Sequence, residues 1–91
     1  MDIKQMRYFL MLAHELNFGR AAEKLHITQP PLTRHIKALE DELGVALFVR
    51  TPKGAELTES GRALLEEVPN ILALTQRAEE RAQLAQEGFI G

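Results

Sequence analysis

Only three residues, His26-Ile27-Thr28, separate two segments whose apolar side chains recur at helical spacing. In the first, Phe18, Ala21, Ala22 and Leu25 follow the i, i+3, i+4, i+7 pattern over 18–25, with Asn17 as the expected N-cap. The second opens at Thr28 and places Pro30 and Pro31 in its first turn, where backbone amides have no intrahelical partner. Leu32, Ile36, Leu39 and Leu43 form its apolar stripe, and Gly44 suits the position just past its end. Two short helices joined so tightly have the spacing of a helix-turn-helix. The small Ala21 and Ala22 fit a close crossing of the two helices and read as core, not surface.

The remaining segments have to pack around this pair. Residues 3–16 read as a helix capped by Asp2, with Ile3, Met6, Phe9, Leu10, Ala13 and Leu16 on one side and Tyr8, Met11 and Leu12 left on other faces. A helix apolar nearly all round is covered on more than one side. Residues 47–49 favour a strand that Glu56-Leu57 can pair with, and Arg50-Thr51-Pro52-Lys53-Gly54 between them has turn composition. Thr58 caps a last helix, from 59 to about 85, which at 1.5 Å per residue is roughly 39 Å long. Residues 86–91 read as the start of a linker. The expected architecture is mainly α, three helices and a small β-hairpin wing over 1–58, followed by a long C-terminal helix.

Composition narrows the function. The chain has 91 residues, enough for one small domain. It has no cysteine, which excludes disulfide scaffolds and thiolate chemistry, and its three histidines lack metal-ligand spacing. No paired catalytic side chains, Gly-rich phosphate loop or metal cluster stand out, so neither an enzyme nor a cofactor is expected. The first residues do not form a signal peptide and no apolar run approaches a membrane span, which favours a soluble, cytoplasmic protein. The formal net charge of −2, taken alone, argues against a nucleic-acid partner.

The distribution of charge reverses that argument. Residues 1–57 carry 8 basic and 7 acidic side chains, whereas residues 58–91 carry 3 and 6. Arg34 and Lys37 fall in a stretch, 26–39, without an acid, and Arg50 and Lys53 in another, 43–55. On a helical wheel Pro30, Arg34 and Lys37 lie roughly opposite the Leu32, Ile36 and Leu39 stripe, with Gln29 and Thr33 on the flank near the helix start. An amide, a hydroxyl and a guanidinium near a helix N-terminus suit base edges and phosphates. A merely solvated charged face is the plainer alternative. His35 falls beside the apolar stripe and reads as a packing residue.

The run Phe18-x-x-Ala21-Ala22-x-x-Leu25-x-Ile27-Thr28-Gln29-Pro30-Pro31-Leu32-Thr33-Arg34-x-Ile36-x-x-Leu39-Glu40-x-x-Leu43-Gly44-x-x-Leu47-Phe48-x-Arg50, with the later Leu57-Thr58-x-x-Gly61, resembles the N-terminal DNA-binding domain of LysR-type transcriptional regulators. The resemblance implies a winged helix-turn-helix that binds double-stranded DNA in a sequence-specific way. It implies that Gln29, Pro30, Thr33 and Arg34 read or approach bases in the major groove while Thr28 and Lys37 hold phosphates. Asn17 and Phe18 would turn their amides toward the DNA backbone, and Arg50, Thr51 and Lys53 would form the wing, with Lys53 at the adjacent minor groove. It also implies a fragment: a larger domain, similar to periplasmic binding proteins, would bind a small-molecule inducer.

The last helix carries an unbroken heptad, Leu64, Val68, Ile71, Thr75, Ala78, Ala82 and Ala85, the pattern of a two-helix seam. Leu65 and Leu72 lie beside it and can pack on the first helix. A homodimer through this seam is expected, with Tyr8, Met11 and Leu12 helping to cover the partner's helix. Such a dimer would read an operator with inverted-repeat character, and the resemblance implies tetramers for the intact protein. Pro69, well inside the helix, is expected to kink it without breaking it. The competing function is a helical interaction or dimerisation module that does not bind DNA specifically.

Overall fold

The structure is a computed structural model that describes residues 1–88. Four helices and one hairpin follow in the order α1 (Ile3–Glu15), α2 (Phe18–Lys24), α3 (Gln29–Leu43), β1 (Phe48–Thr51), β2 (Gly54–Leu57) and α4 (Glu59–Gln86). The strands pair antiparallel with Phe48 opposite Leu57 and Thr51 opposite Gly54, leaving Pro52 and Lys53 as the loop. The hairpin is therefore longer at its tip than the sequence pattern predicts, and its turn is tighter. The last residues of the expected linker, 89–91, lie outside the described residues; 86–88 complete α4 and a short turn.

Local chemistry starts each helix where the sequence places it. Asp2 accepts from the Gln5 amide at 2.7 Å while the Gln5 side chain accepts from the Asp2 amide at 3.0 Å, a reciprocal capping box. Asn17 Oδ1 accepts from the Arg20 amide, and Thr58 Oγ1 from the Gly61 amide. Gly44 ends α3 in the left-handed region with φ 74°.

α1 is the central element, in contact with α2, α3 and α4. The core joins Phe9 and Leu12 of α1 to Leu32 and Leu39 of α3, Leu47 before the hairpin and Val68 of α4. The Phe9 and Phe48 rings meet at 5.4 Å between centroids. Three expectations about faces are corrected here. The buried stripe of α1 is Gln5, Met6, Phe9, Leu12 and Ala13. Leu12 is thus core and cannot cover a partner, while Ile3 and Leu16 are exposed, Leu16 because α1 ends at Glu15 and Leu16 turns left-handed as its cap. Leu43, expected in the stripe of α3, is 40% exposed and lies in a stretch, 41–46, in which every residue is exposed.

The third correction concerns the heptad. Val68 is 0% exposed in the single chain, and Leu64 and Ile71 are half-buried against the same core. This half of the seam holds α4 to its own domain, so Val68 is not a partner contact. Leu65 and Leu72 also pack there. From 76 to 86 every residue of α4 is exposed, and the molecule measures 54 × 26 × 19 Å as a result. The helix passes Pro69 unbroken. Pro69 lies on the solvent side, where water can satisfy the carbonyl that loses its partner.

Two close backbone approaches fix the hairpin. A Cβ on Gly54, at φ 138°, would stand 2.3 Å from the Leu16 carbonyl oxygen, which instead accepts from the Ala55 amide at 2.9 Å. A Cβ on Gly61 would stand 2.2 Å from the Leu47 carbonyl oxygen. Gly61→Ala must separate α4 from the chain before β1 and should lower stability by about 2–4 kcal/mol. The check is the urea midpoint followed by circular dichroism; a midpoint equal to that of the unaltered chain would refute the contact.

Candidate nucleic-acid interface

The turn between α2 and α3 places His26 in the left-handed region at φ 58°, and the Ile27 amide closes back on the Ala22 carbonyl at 3.0 Å. This sharp reversal sets α3 across α2. Thr28 occupies the N-cap position of α3 with extended backbone, yet its side chain makes no capping hydrogen bond. Thr28, Gln29, Pro30 and Arg34 are all exposed along the outer edge of the helix start, and Thr33 is half-buried.

The wing returns to this edge through Arg50. Its guanidinium lies over the Phe18 ring, 3.7 Å from the centroid, and donates to Thr33 Oγ1 at 3.4 Å. One side chain thereby joins the start of α2, the recognition-helix candidate α3 and strand β1. At the tip, Thr51 Oγ1 accepts from the Lys53 amide at 3.2 Å, which shapes the turn and leaves the Lys53 ammonium exposed. Asn17 and Arg20 border the same edge.

Phe18 needs a correction. Its side chain is 8% exposed and belongs to the core, so of the expected contact only its backbone remains; the ring serves as the platform for Arg50. Lys37 is exposed but pairs with Asp41 Oδ1 at 3.2 Å. An exposed pair of this kind is worth little and exchanges readily for a phosphate. Lys24 pairs with Glu15 at 3.0 Å. Among the described residues, Arg20, Arg34, Arg50 and Lys53 make no ion pair with a carboxylate. His35 packs its ring edge-on to Tyr8 at 5.0 Å, in keeping with a packing role.

Glu40 is the positioning residue that sequence reasoning missed. It reads as one of three acids ending α3, but its carboxylate accepts from the Leu47 amide at 2.7 Å and the Phe48 amide at 3.3 Å. It ties the far part of α3 to the start of the wing. Its partners, Leu47 and Phe48, lie past the end of α3, so no pattern within the helix signals the role. Among the described residues no His, Cys, Asp and Glu cluster could hold a metal.

A helix-turn-helix, a β-hairpin wing and a basic edge that joins them define a winged helix-turn-helix domain. Residues 3–62 match the family described as "Bacterial regulatory helix-turn-helix protein, lysR family". The chain belongs to that family. Over all 91 residues it is 47% identical to the HTH-type transcriptional regulator TfdT of Cupriavidus pinatubonensis, covering 40% of that protein. It is 48% identical to ClcR of Pseudomonas putida, another HTH-type transcriptional regulator, covering 31% of it. The chain thus spans well under half the length of these curated relatives. Among solved structures, the crystal structure of a CbnR_DBD–DNA complex superposes with a TM-score of 0.91 at 43% identity, over 94% of this chain and 99% of that one. Full-length CbnR complexed with its target DNA superposes with a TM-score of 0.89 at 44% identity, over 93% of this chain and 30% of that one.

Glu40→Ala leaves two amides without their acceptor and should cost about 2 kcal/mol of stability, with Glu40→Gln losing less because one oxygen remains. Denaturant unfolding of the two variants checks the order. Equal stability of Glu40→Ala and the unaltered chain would remove Glu40 from this role.

Proposed function

We propose that this chain is the sequence-specific, double-stranded-DNA-binding part of a dimeric LysR-type transcriptional regulator. The observation that carries the proposal is the single exposed edge on which the start of α2, the outer face of α3 and the wing converge, with Arg34, Arg50 and Lys53 held away from carboxylates. The likeness to CbnR in complex with DNA supports it.

In this reading α3 lies in the major groove. Gln29, Pro30, Thr33 and Arg34 meet base edges, arginine suiting guanine and glutamine suiting adenine. Thr28, the α2 start at Asn17 and Phe18, and Lys37 hold phosphates, and Lys53 at the wing tip, beside Arg50 and Thr51, approaches the neighbouring minor groove. The protein works in the cytoplasm, on the nucleoid, and has no catalytic role. Residues 1–58 read DNA, 59–85 link and pair, and a further domain of the longer regulator binds a small-molecule inducer.

Pairing uses what the single chain leaves uncovered. The face of α4 that docks on its own domain as far as Thr75 continues past it into solvent as Ala78 and Ala82. Leu74, 62% exposed, stands just before this free segment and Leu84 lies on it. A second copy of α4 laid across this segment gives a homodimer, and two recognition helices related by a two-fold axis read half-sites about one DNA turn apart. Intact regulators then associate as tetramers.

Selection of binding duplexes from a random-sequence pool should enrich inverted repeats. On the selected duplex, Arg34→Ala should weaken binding by about 1–3 kcal/mol, and Lys53→Ala should reduce the salt slope by about one, both read by fluorescence anisotropy. A helical interaction module predicts instead no salt-dependent binding at all and no effect of Arg34→Ala; that outcome would reject the proposal.

Leu74→Glu should shift the dimer toward monomer in sedimentation equilibrium while leaving the helical signal intact, because Leu74 makes little contact in its own chain. Val68→Ala should instead lower stability by roughly 1–3 kcal/mol through a core cavity. An unchanged dimer in Leu74→Glu would move the pairing surface elsewhere.

A further inference from the structure

Arg50 donates a hydrogen bond to one side chain of α3, Thr33, which in the DNA-binding reading above meets base edges. Threonine in a helix has two accessible rotamers, one of which turns its oxygen back to the carbonyl four residues earlier. Thr75 takes that option, donating to the Ile71 carbonyl at 2.9 Å. Thr33 turns its oxygen toward the wing, where Arg50 donates to it at 3.4 Å. The guanidinium is also held over the buried Phe18 ring, 3.7 Å from its centroid.

We propose that Arg50 is a positioning residue that sets the polarity of Thr33 and so restricts which base edges α3 accepts; the proposal rests on the DNA-binding function inferred above. A guanidinium offers only donors. With one of its N–H groups on Thr33 Oγ1, one of the two oxygen lone pairs is occupied and the hydroxyl proton turns away from the cation, so Thr33 is biased toward donating to a base rather than accepting from one. In the major groove guanine N7 and O6, adenine N7 and thymine O4 accept, whereas cytosine offers only its N4 amine. Thr33 held this way favours the accepting edges and disfavours cytosine at the base it meets.

The test compares the unaltered chain, Arg50→Lys, Thr33→Val and the double variant by base preference across selected duplexes, with thermal unfolding to confirm folding. Arg50→Lys keeps the positive charge, so its salt slope should stay the same. Its discrimination against cytosine at one position of each half-site should fall by about threefold to tenfold. Thr33→Val should lose the discrimination at that same position, and the double variant should lose no more than either single change. The proposal is overturned if Arg50→Lys weakens all sequences equally with its profile unchanged, the mark of a phosphate contact only. Independent, additive losses from the two single variants would overturn it as well. Failure of the unaltered chain to select any duplex is a different result, which rejects the DNA-binding function itself.

Discussion

Leu47 is gripped from three directions. Its amide donates to the Glu40 carboxylate of α3, its carbonyl accepts from the Thr58 amide at 3.0 Å and faces Gly61 of α4, and its side chain is buried in the core. The neighbouring Ala46 carbonyl accepts from Thr58 Oγ1 at 2.6 Å, from the same hydroxyl that caps α4. One short stretch of chain thereby locks the end of α3, the root of the hairpin and the start of α4 together. The wing can reach the start of α3 only because its root is held in this way, and α4 leaves the domain in a fixed direction for the same reason.

At the other end of the hairpin the holding is lighter. The Ala55 amide bonds to the Leu16 carbonyl, and Arg50 stacks on Phe18 and donates to Thr33. Ala55 is buried, whereas the Arg50 contacts are made by an exposed side chain and are individually modest. The wing is thus built with a rigid root and a more yielding tip.

What could be read from the sequence divides along physical lines. Asp2, Asn17, Thr58 and Gly44 mark helix ends because capping involves residues at most four apart. The three-residue turn likewise announces the crossing of α2 and α3. The stripe of α1 was harder to read, because α2, α3 and α4 all cover that helix and its apolar residues do not select one face. The heptad of α4 misled for a related reason. A repeat of Leu64, Val68 and Ile71 states that this face is covered but not by what, and its own domain covers it first. Of the candidate site, the exposed residues of α3 and the wing were legible from charge and wheel position. The Arg50 contacts and the double acceptance by Glu40 were not, since both join residues brought near only by the finished fold.

The start of α3 carries one more consequence. An ordinary helix begins with four amides in need of a partner, and any surface that seals over them must first strip their water. Here Pro30 and Pro31 have no amide hydrogen, so only Thr28 and Gln29 present one at the helix tip. A tip with so little backbone to dehydrate can be pressed closely against another molecule at small cost, and what that molecule meets is almost entirely side-chain chemistry. The pair of prolines thus reduces the backbone that a contact must dehydrate and stiffens the helix end, leaving selection to side chains.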